Sequence, residues 1–202
     1  MPEPKFNTQT DATLLAIDAG TSILKFALFT ADGPLRKICT GFVEGIGAPQ
    51  GRIHAVDARN DTLFDDWQPV SGYRTALKLL LDMLETHVLG SRLRAMGYRI
   101  AHGGAKFKKP VPLTEHIENE LKTLVPLSPV RQPNSIAAII AARTIRPDLV
   151  HVACFDTSFH QKRPELATLT GLRGEDHDPG LRRYGNHGLV FEQAVDTLYR
   201  NG

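Results

Sequence analysis

Residues 14–29 read LLAIDAGTSILKFALF: an apolar strand, a tight polar turn at Asp18-Ala19-Gly20-Thr21-Ser22, then a second apolar strand with alternation. Asp18 stands at the end of the first strand, where a carboxylate can reach a metal ion. Gly20 lets backbone N–H groups approach an anion, and Thr21 and Ser22 add hydroxyl donors. A strand rather than a helix follows the turn, so the string is not a P-loop. Taken alone, it also fits an ordinary hairpin with a polar tip.

Outward from this hairpin, Asp32-Gly33-Pro34 is a turn and residues 35–43 form a third strand. Residues 44–51 carry three glycines and a proline and read as a loop; 52–58 and 62–70 then form a small peripheral hairpin. Tyr73, Ala76, Leu77, Leu80, Leu81, Leu84 and Val88 recur at helical spacing, which predicts a helix over 72–89 stopped by Gly90. Residues 94–101 lead as a strand into the turn His102-Gly103-Gly104, which His102 orders by hydrogen bonding. Thr114 caps a helix through Leu124, and a proline-punctuated loop (VPLSPVRQPN) precedes a short helix over 135–143. Val150 to Phe155 is continuously apolar, as in a buried parallel strand, and Asp156 stands at its C-terminal end. Residues 170–187 form a long loop. A closing helix over 189–199 turns Val190, Phe191, Ala194, Val195 and Leu198 inward.

This order predicts an α/β fold of the ribonuclease-H-like type. Five strands (14–17, 23–29, 35–43, 98–101 and 150–155) form one mixed sheet flanked by helices, with 150–155 beside the opening strand. Residues 1–12 are a flexible leader to a domain over 13–202. With 202 residues, 42% hydrophobic and 23% charged, the chain can bury one good core. A net charge of +2 without a basic, aromatic-laced run gives no sign of nucleic acid. No apolar stretch reaches membrane-spanning length and the first residues hold no signal-peptide apolar region, so the expectation is a cytoplasmic protein without a membrane partner. Cys39 and Cys154 lie in apolar strands and read as reduced buried thiols. His151 and His160 lack metal-ligand spacing, which argues against zinc.

Four stretches combine a strand end with glycines and acids, the form that ligand sites take in open α/β sheets: 18–22, 99–104, 156–160 and 184–188. With the proline loop, the strings AIDAGTSILKFAL, YRIAHGGAKF, LSPVRQP, FDTSFHQKRPE and RRYGNHG resemble the acetate kinase (acetokinase) family of the acetate/sugar kinase and actin-like superfamily. The strings occur in the family's order over nearly the whole chain, but span only the first half of the family's architecture. A second actin-like domain would carry the nucleotide's glycine loops, another arginine and a metal-linked glutamate.

The resemblance implies an actin-like ATPase domain and phosphoryl transfer between ATP and acetate or another short-chain acid, giving an acyl phosphate. It implies Mg²⁺ or Mn²⁺ as the metal, and a homodimer when the chain is complete. Such chemistry needs positioning and charge neutralisation rather than a covalent helper. The resemblance places catalytic roles at Asp156, His187 and Arg131, and substrate binding at Arg99, Ala101, Val130 and Asn186. Gly20, Thr21, Ser22 and Lys25 face phosphate, and Asp18 serves the metal. From the residues alone, Arg99 also fits a strand ion pair, Asp156 a helix cap, and His187 a glycine-flanked loop position.

The chain departs from the family at several of these positions. Asp18 stands for an asparagine, Arg131 for the histidine of the LHNP loop, Asn186 for a phenylalanine and Ala101 for a valine. The last two predict a roomier, wetter acyl site. A competing expectation is a degenerate, non-catalytic actin-like domain that binds nucleotide, phosphate or a partner.

Overall fold

The computed structural model describes residues 12–89, 93–170 and 182–201. The leader up to residue 11, the Gly90 stop and most of the 170–187 loop lie outside them. The opening stretch forms β1 (Thr13–Ala19) and β2 (Ile23–Thr30), paired antiparallel with Asp18 opposite Lys25. They are followed by β3 (Lys37–Glu44), β4 (Ala48–Asp57) and β5 (Thr62–Val70). The stretch read as a loop contributes its last four residues to β4; the turn shrinks to Gly45–Gly47, whose two glycines adopt φ of +73° and +87°.

The helix over 72–89 is α1 (Tyr73–Leu84), continued by one π-helical turn (Glu85–Leu89). Strand β6 (Leu93–Ile100) follows, then the two-residue β7 (Val111–Pro112), α2 (Glu115–Thr123) and α3 (Gln132–Ile145). Strand β8 (Val150–Phe155) and α4 (Gly188–Asn201) close the chain. Thr114 caps α2 as expected, its hydroxyl accepting from the Ile117 N–H at 3.2 Å.

All eight strands form one mixed sheet in the order β5-β4-β3-β2-β1-β6-β8-β7. The expected five strands and the peripheral hairpin are therefore one sheet, the hairpin continuing it at the edge. Strand β8 does not lie beside β1: β6 pairs parallel with both and stands between them. The α1 crossover carries the chain from the edge strand β5 across the meander to β6 beside β1, and α2–α3 return it from the outer strand β7 to β8, between β6 and β7.

Alternation along the strands sorts the core. Leu15, Ile17, Leu24, Met96, Tyr98 and Ile100 are buried on the face that α1 and α3 cover. Leu14, Ala16 and Asp18 point to the other face. Helix α4 overturns one expectation. Val190, Phe191, Ala194, Val195 and Leu198 do not turn inward: every described side chain of α4 beyond Leu189 is exposed. The helix packs mainly against the end of β8 and the turn at Phe159–Lys162, where Phe191 meets the rings of Phe159 and His160, while Val190, Leu198 and Tyr199 stay exposed.

Candidate active site

Strands β1, β6 and β8 run parallel, so their C-terminal ends form one edge of the sheet. That edge places Asp18, Arg99 and Asp156 together across 138 positions of sequence. The Arg99 guanidinium bridges the two carboxylates. Its Nη1 donates to Asp18 Oδ2 at 2.9 Å, its Nε to both Asp156 oxygens at 3.0 and 3.1 Å, and its Nη2 to Asp156 Oδ2 at 2.8 Å. This fork geometry suits a planar guanidinium and no other cation. Asp156 is 1% exposed and Arg99 24%. The bonds to Asp156 hold the Arg99 proton well above the ordinary arginine range, against desolvation.

Arg131, beside the N-terminus of α3, stands 3.9 Å from Asp18 Oδ1 and 3.8 Å from Asp156 Oδ2. His187 completes the cluster, with Nδ1 3.3 Å from Arg99 Nη2. A guanidinium only donates, so Nδ1 accepts and the ring hydrogen resides on Nε2. His187 has a φ of +58°. The following Gly188 is required by close approach: its N–H donates to the Asp156 carbonyl at 2.8 Å, and a Cβ there would lie 2.2 Å from that oxygen.

Five of the anticipated residues thus meet at one point: Asp18, Arg99, Arg131, Asp156 and His187. Asp156 does not cap the following turn, because its carboxylate is spent on Arg99. Lys25 lies across from Asp18 and lines an open cavity on the sheet face. Gly20 does not present a free donor; its N–H closes the hairpin turn onto the Ile23 carbonyl at 2.7 Å. Thr21 and Ser22 are exposed at the hairpin tip. Ala101 is buried at the end of β6, while Val130 and Asn186 are exposed next to Arg131 and His187.

The structure adds residues that the sequence did not single out. Gln132, fully buried, bonds both backbone groups of His102: Oε1 accepts from the N–H at 3.2 Å and Nε2 donates to the carbonyl at 3.0 Å. His102 Nδ1 accepts from the Gly104 N–H at 2.9 Å, which orders the glycine turn as anticipated. Thr157 Oγ1 accepts from the Gly103 N–H at 2.9 Å, and Ser135 Oγ donates to the Arg99 carbonyl at 3.3 Å. His160 holds the last loop: Nε2 donates to the Asn186 carbonyl at 2.9 Å, and its ring packs against Gly185. The ring of Tyr184 meets His102 edge-on at 4.4 Å.

Among the described residues no group of three or more His, Cys, Asp or Glu forms a ready-made metal cage. The part-exposed carboxylate of Asp18 does suit Mg²⁺, which commonly takes one or two carboxylates plus substrate phosphates and water. What converges here is a charge-paired cluster, two carboxylates against two guanidiniums with His187 beside them, at the carboxyl edge of a sheet with actin-like ATPase topology.

Comparison with known proteins agrees. The model of the acetokinase family matches residues 13–198, and the chain belongs to that family. The acetate kinase of Rhodopseudomonas palustris strain TIE-1 is 39% identical over 194 residues, covering 92% of this chain and 47% of that protein. That of Deinococcus radiodurans is 37% identical over 195 residues, covering 92% and 47%. Among solved structures, acetate kinase from Porphyromonas gingivalis superposes with a TM-score of 0.82 at 25% identity, covering 93% of this chain and 49% of that one. A propionate kinase from Francisella tularensis gives 0.79 at 28% identity, covering 93% and 49%. The chain spans about half the length of the relatives it matches.

Proposed function

We propose that residues 13–202 are the N-terminal half of an ATP-dependent carboxylate kinase, acting on acetate or another short-chain acid. In this reaction a carboxylate oxygen bonds to the γ-phosphorus of ATP as the bond to ADP breaks, giving an acyl phosphate. The observation that carries the reading is the Arg99 bridge between Asp18 and Asp156, with Arg131 and His187 against it. A migrating phosphoryl group needs fixed positive charge and donors around its oxygens. Arg99 and Arg131 supply the charge, and His187 Nε2–H supplies a donor. Asp156 holds the Arg99 fork in place, and the Gln132–His102 clamp holds the chain just beyond it.

Asp18 and the nucleotide's phosphates are the natural ligands for Mg²⁺ or Mn²⁺, which when bound neutralises phosphate oxygens. The acid's alkyl end falls to Ala101, Val130 and Asn186, a lining small and polar enough to admit more than acetate. The reaction also needs a second actin-like domain to enclose ATP, and we place the assembled enzyme in the cytoplasm as a homodimer. No helix among the described residues is long and apolar enough to cross a membrane.

Arg131 in place of a loop histidine, and an Arg99 already occupied by two carboxylates, favour a second reading: a non-catalytic domain that binds nucleotide or a partner. One assay separates the two: ADP release with a panel of carboxylates, using this chain alone and joined to a second half. The kinase reading expects turnover only in the joined form, lowered on the order of 10²–10³-fold or more by Arg99→Ala. Turnover absent with every acid in a folded, nucleotide-binding joined protein refutes it.

A further inference from the structure

Residues 101–104, the turn that leaves β6, are all buried. Turns normally lie at the surface, where water satisfies their backbone. Here side chains take the place of water. Gln132 bonds both backbone groups of His102, Thr157 Oγ1 accepts from the Gly103 N–H, and His102 Nδ1 accepts from the Gly104 N–H. Gln161 Nε2 donates to the Gly104 carbonyl at 2.9 Å, and the Phe107 N–H donates to the Gly103 carbonyl at 3.0 Å. The turn is also tightly enclosed. A Cβ on Gly103 would lie 2.9 Å from the Phe107 carbonyl oxygen, and one on Gly104 would lie 2.8 Å from the Leu124 side chain.

The segments that reach this turn are the ones that deliver the charge cluster. Arg99 stands three residues before His102, Gln132 directly follows Arg131, and Thr157 directly follows Asp156. Gln161 belongs to the short turn Phe159–Lys162, whose His160 holds the Asn186 carbonyl beside His187. Tyr184, from that same last loop, sets its ring edge against His102. The shape of the turn depends in its own right on one bond inside it. His102 Nδ1 accepts from the N–H two residues on, which closes the backbone onto Gly104 in its left-handed conformation, φ +60°.

We propose that His102 is a positioning residue of the cluster. Its Nδ1 bond fixes the turn on which the segments carrying Arg131, Asp156 and His187 are registered against Arg99. His102 acts through the backbone and not on a reacting atom. The acceptor is what matters, more than the volume of the ring. Its consequence for turnover rests on the kinase reading; its consequence for the placing of His187 does not.

Two substitutions separate the acceptor from the volume. His102→Asn keeps an acceptor for the N–H two residues on, as Asn does in an Asx-turn, but gives up ring volume. His102→Leu keeps much of the volume and loses the acceptor. Ring ¹⁵N signals of His187, assigned with His187→Gln, are read in the ¹⁵N-histidine-labelled 202-residue chain at mildly alkaline pH. The expected result is a native His187 signal in His102→Asn and a displaced one in His102→Leu, with both chains folded. A packing role alone would give the reverse order. A native His187 signal in folded His102→Leu overturns the proposal, as does a signal displaced equally in both. Should His102→Leu not fold, Thr157→Val decides. It strips the Gly103 N–H of its acceptor on the other side of the same turn, and a native His187 signal there overturns the proposal too. With the chain joined to a second half, His102→Leu should lower kcat on the order of 10²-fold while KM for the acid changes little, and His102→Asn should recover most of the loss. Absence of turnover in every joined form counts against the kinase reading and leaves the His187 signal to decide this one.

Discussion

Replacing Arg99 by Met removes the charge at the centre of the cluster while keeping most of the side chain's volume. Asp156 then loses three guanidinium bonds of 2.8, 3.0 and 3.1 Å at 1% exposure. Stranding one member of a buried pair costs about 3–5 kcal/mol. Two features argue for the lower end: Arg99 is itself 24% exposed, and Arg131 stands 3.8 Å from the same carboxylate, close enough to take over part of the pairing. The expected loss is about 3 kcal/mol, or roughly 6–12 °C in Tm for a chain of this size. Urea unfolding of Arg99→Met, Asp156→Asn and the double variant measures it. Most of the loss comes from an unpaired charge, so Arg99→Met should cost less than half as much in the Asp156→Asn background. Costs that add to within about 0.5 kcal/mol would refute the pairing as the source of the stability.

Three further outcomes follow from buried polar groups. Gln132→Leu leaves both backbone groups of His102 without their side-chain partner and should cost about 2–3 kcal/mol in urea unfolding. His102 and His151 have pKa values lowered below the ordinary 6.5, chiefly by burial. Their contribution is therefore complete above that value and declines as pH falls through it toward the folded pKa, because the unfolded chain binds the proton first. Tm should drop on acidification over that range, with a shallower slope in His151→Gln. Burial pushes the Cys39 thiol up to about 12, and Cys154 is raised for the same reason but is only half-buried. Thiol titration at mildly alkaline pH should therefore modify Cys154 first and reach Cys39 only on unfolding.

What the sequence made legible was set by how local each signal is. Asp18, Arg99 and Asp156 each end or nearly end an apolar strand, and parallel strands align their C-terminal ends, so three separate strings predicted one cluster. Strand order is different. Apolar content identifies residues 150–155 as a buried strand, but does not say which neighbour intervenes, and β6 took the place expected for it. The glycines of residues 44–51 read as a loop, although only Gly45 and Gly47 need left-handed backbone; the rest extends β4. Gln132 escaped notice because a polar residue beside a proline at a helix start reads as solvent-exposed. Its role depends on a turn 30 residues away. Helix α4 is the largest miss, for a physical reason: periodicity shows that a helix has a stripe to bury, not whether the same chain supplies the cover.

The charge balance at the cluster makes Asp18 the most consequential departure from the family pattern. Asp18 and Asp156 oppose Arg99 and Arg131, two carboxylates against two guanidiniums, so the cluster is neutral as it stands. With asparagine at position 18, as the resemblance expects, one positive charge would be left over to attract an anion. Here a phosphate or carboxylate must displace one of the aspartates from Arg99 or arrive with a cation that takes Asp18. Of these, the second is the less costly. Asp156 is buried and bonded three times to the guanidinium, whereas Asp18 is 32% exposed and bonded once. Asp18 is thus the carboxylate freer to leave, and under the proposed kinase reading a cation taking Asp18 would release one prong of Arg99. Asp156 keeps the other side of the guanidinium fixed in the cleft.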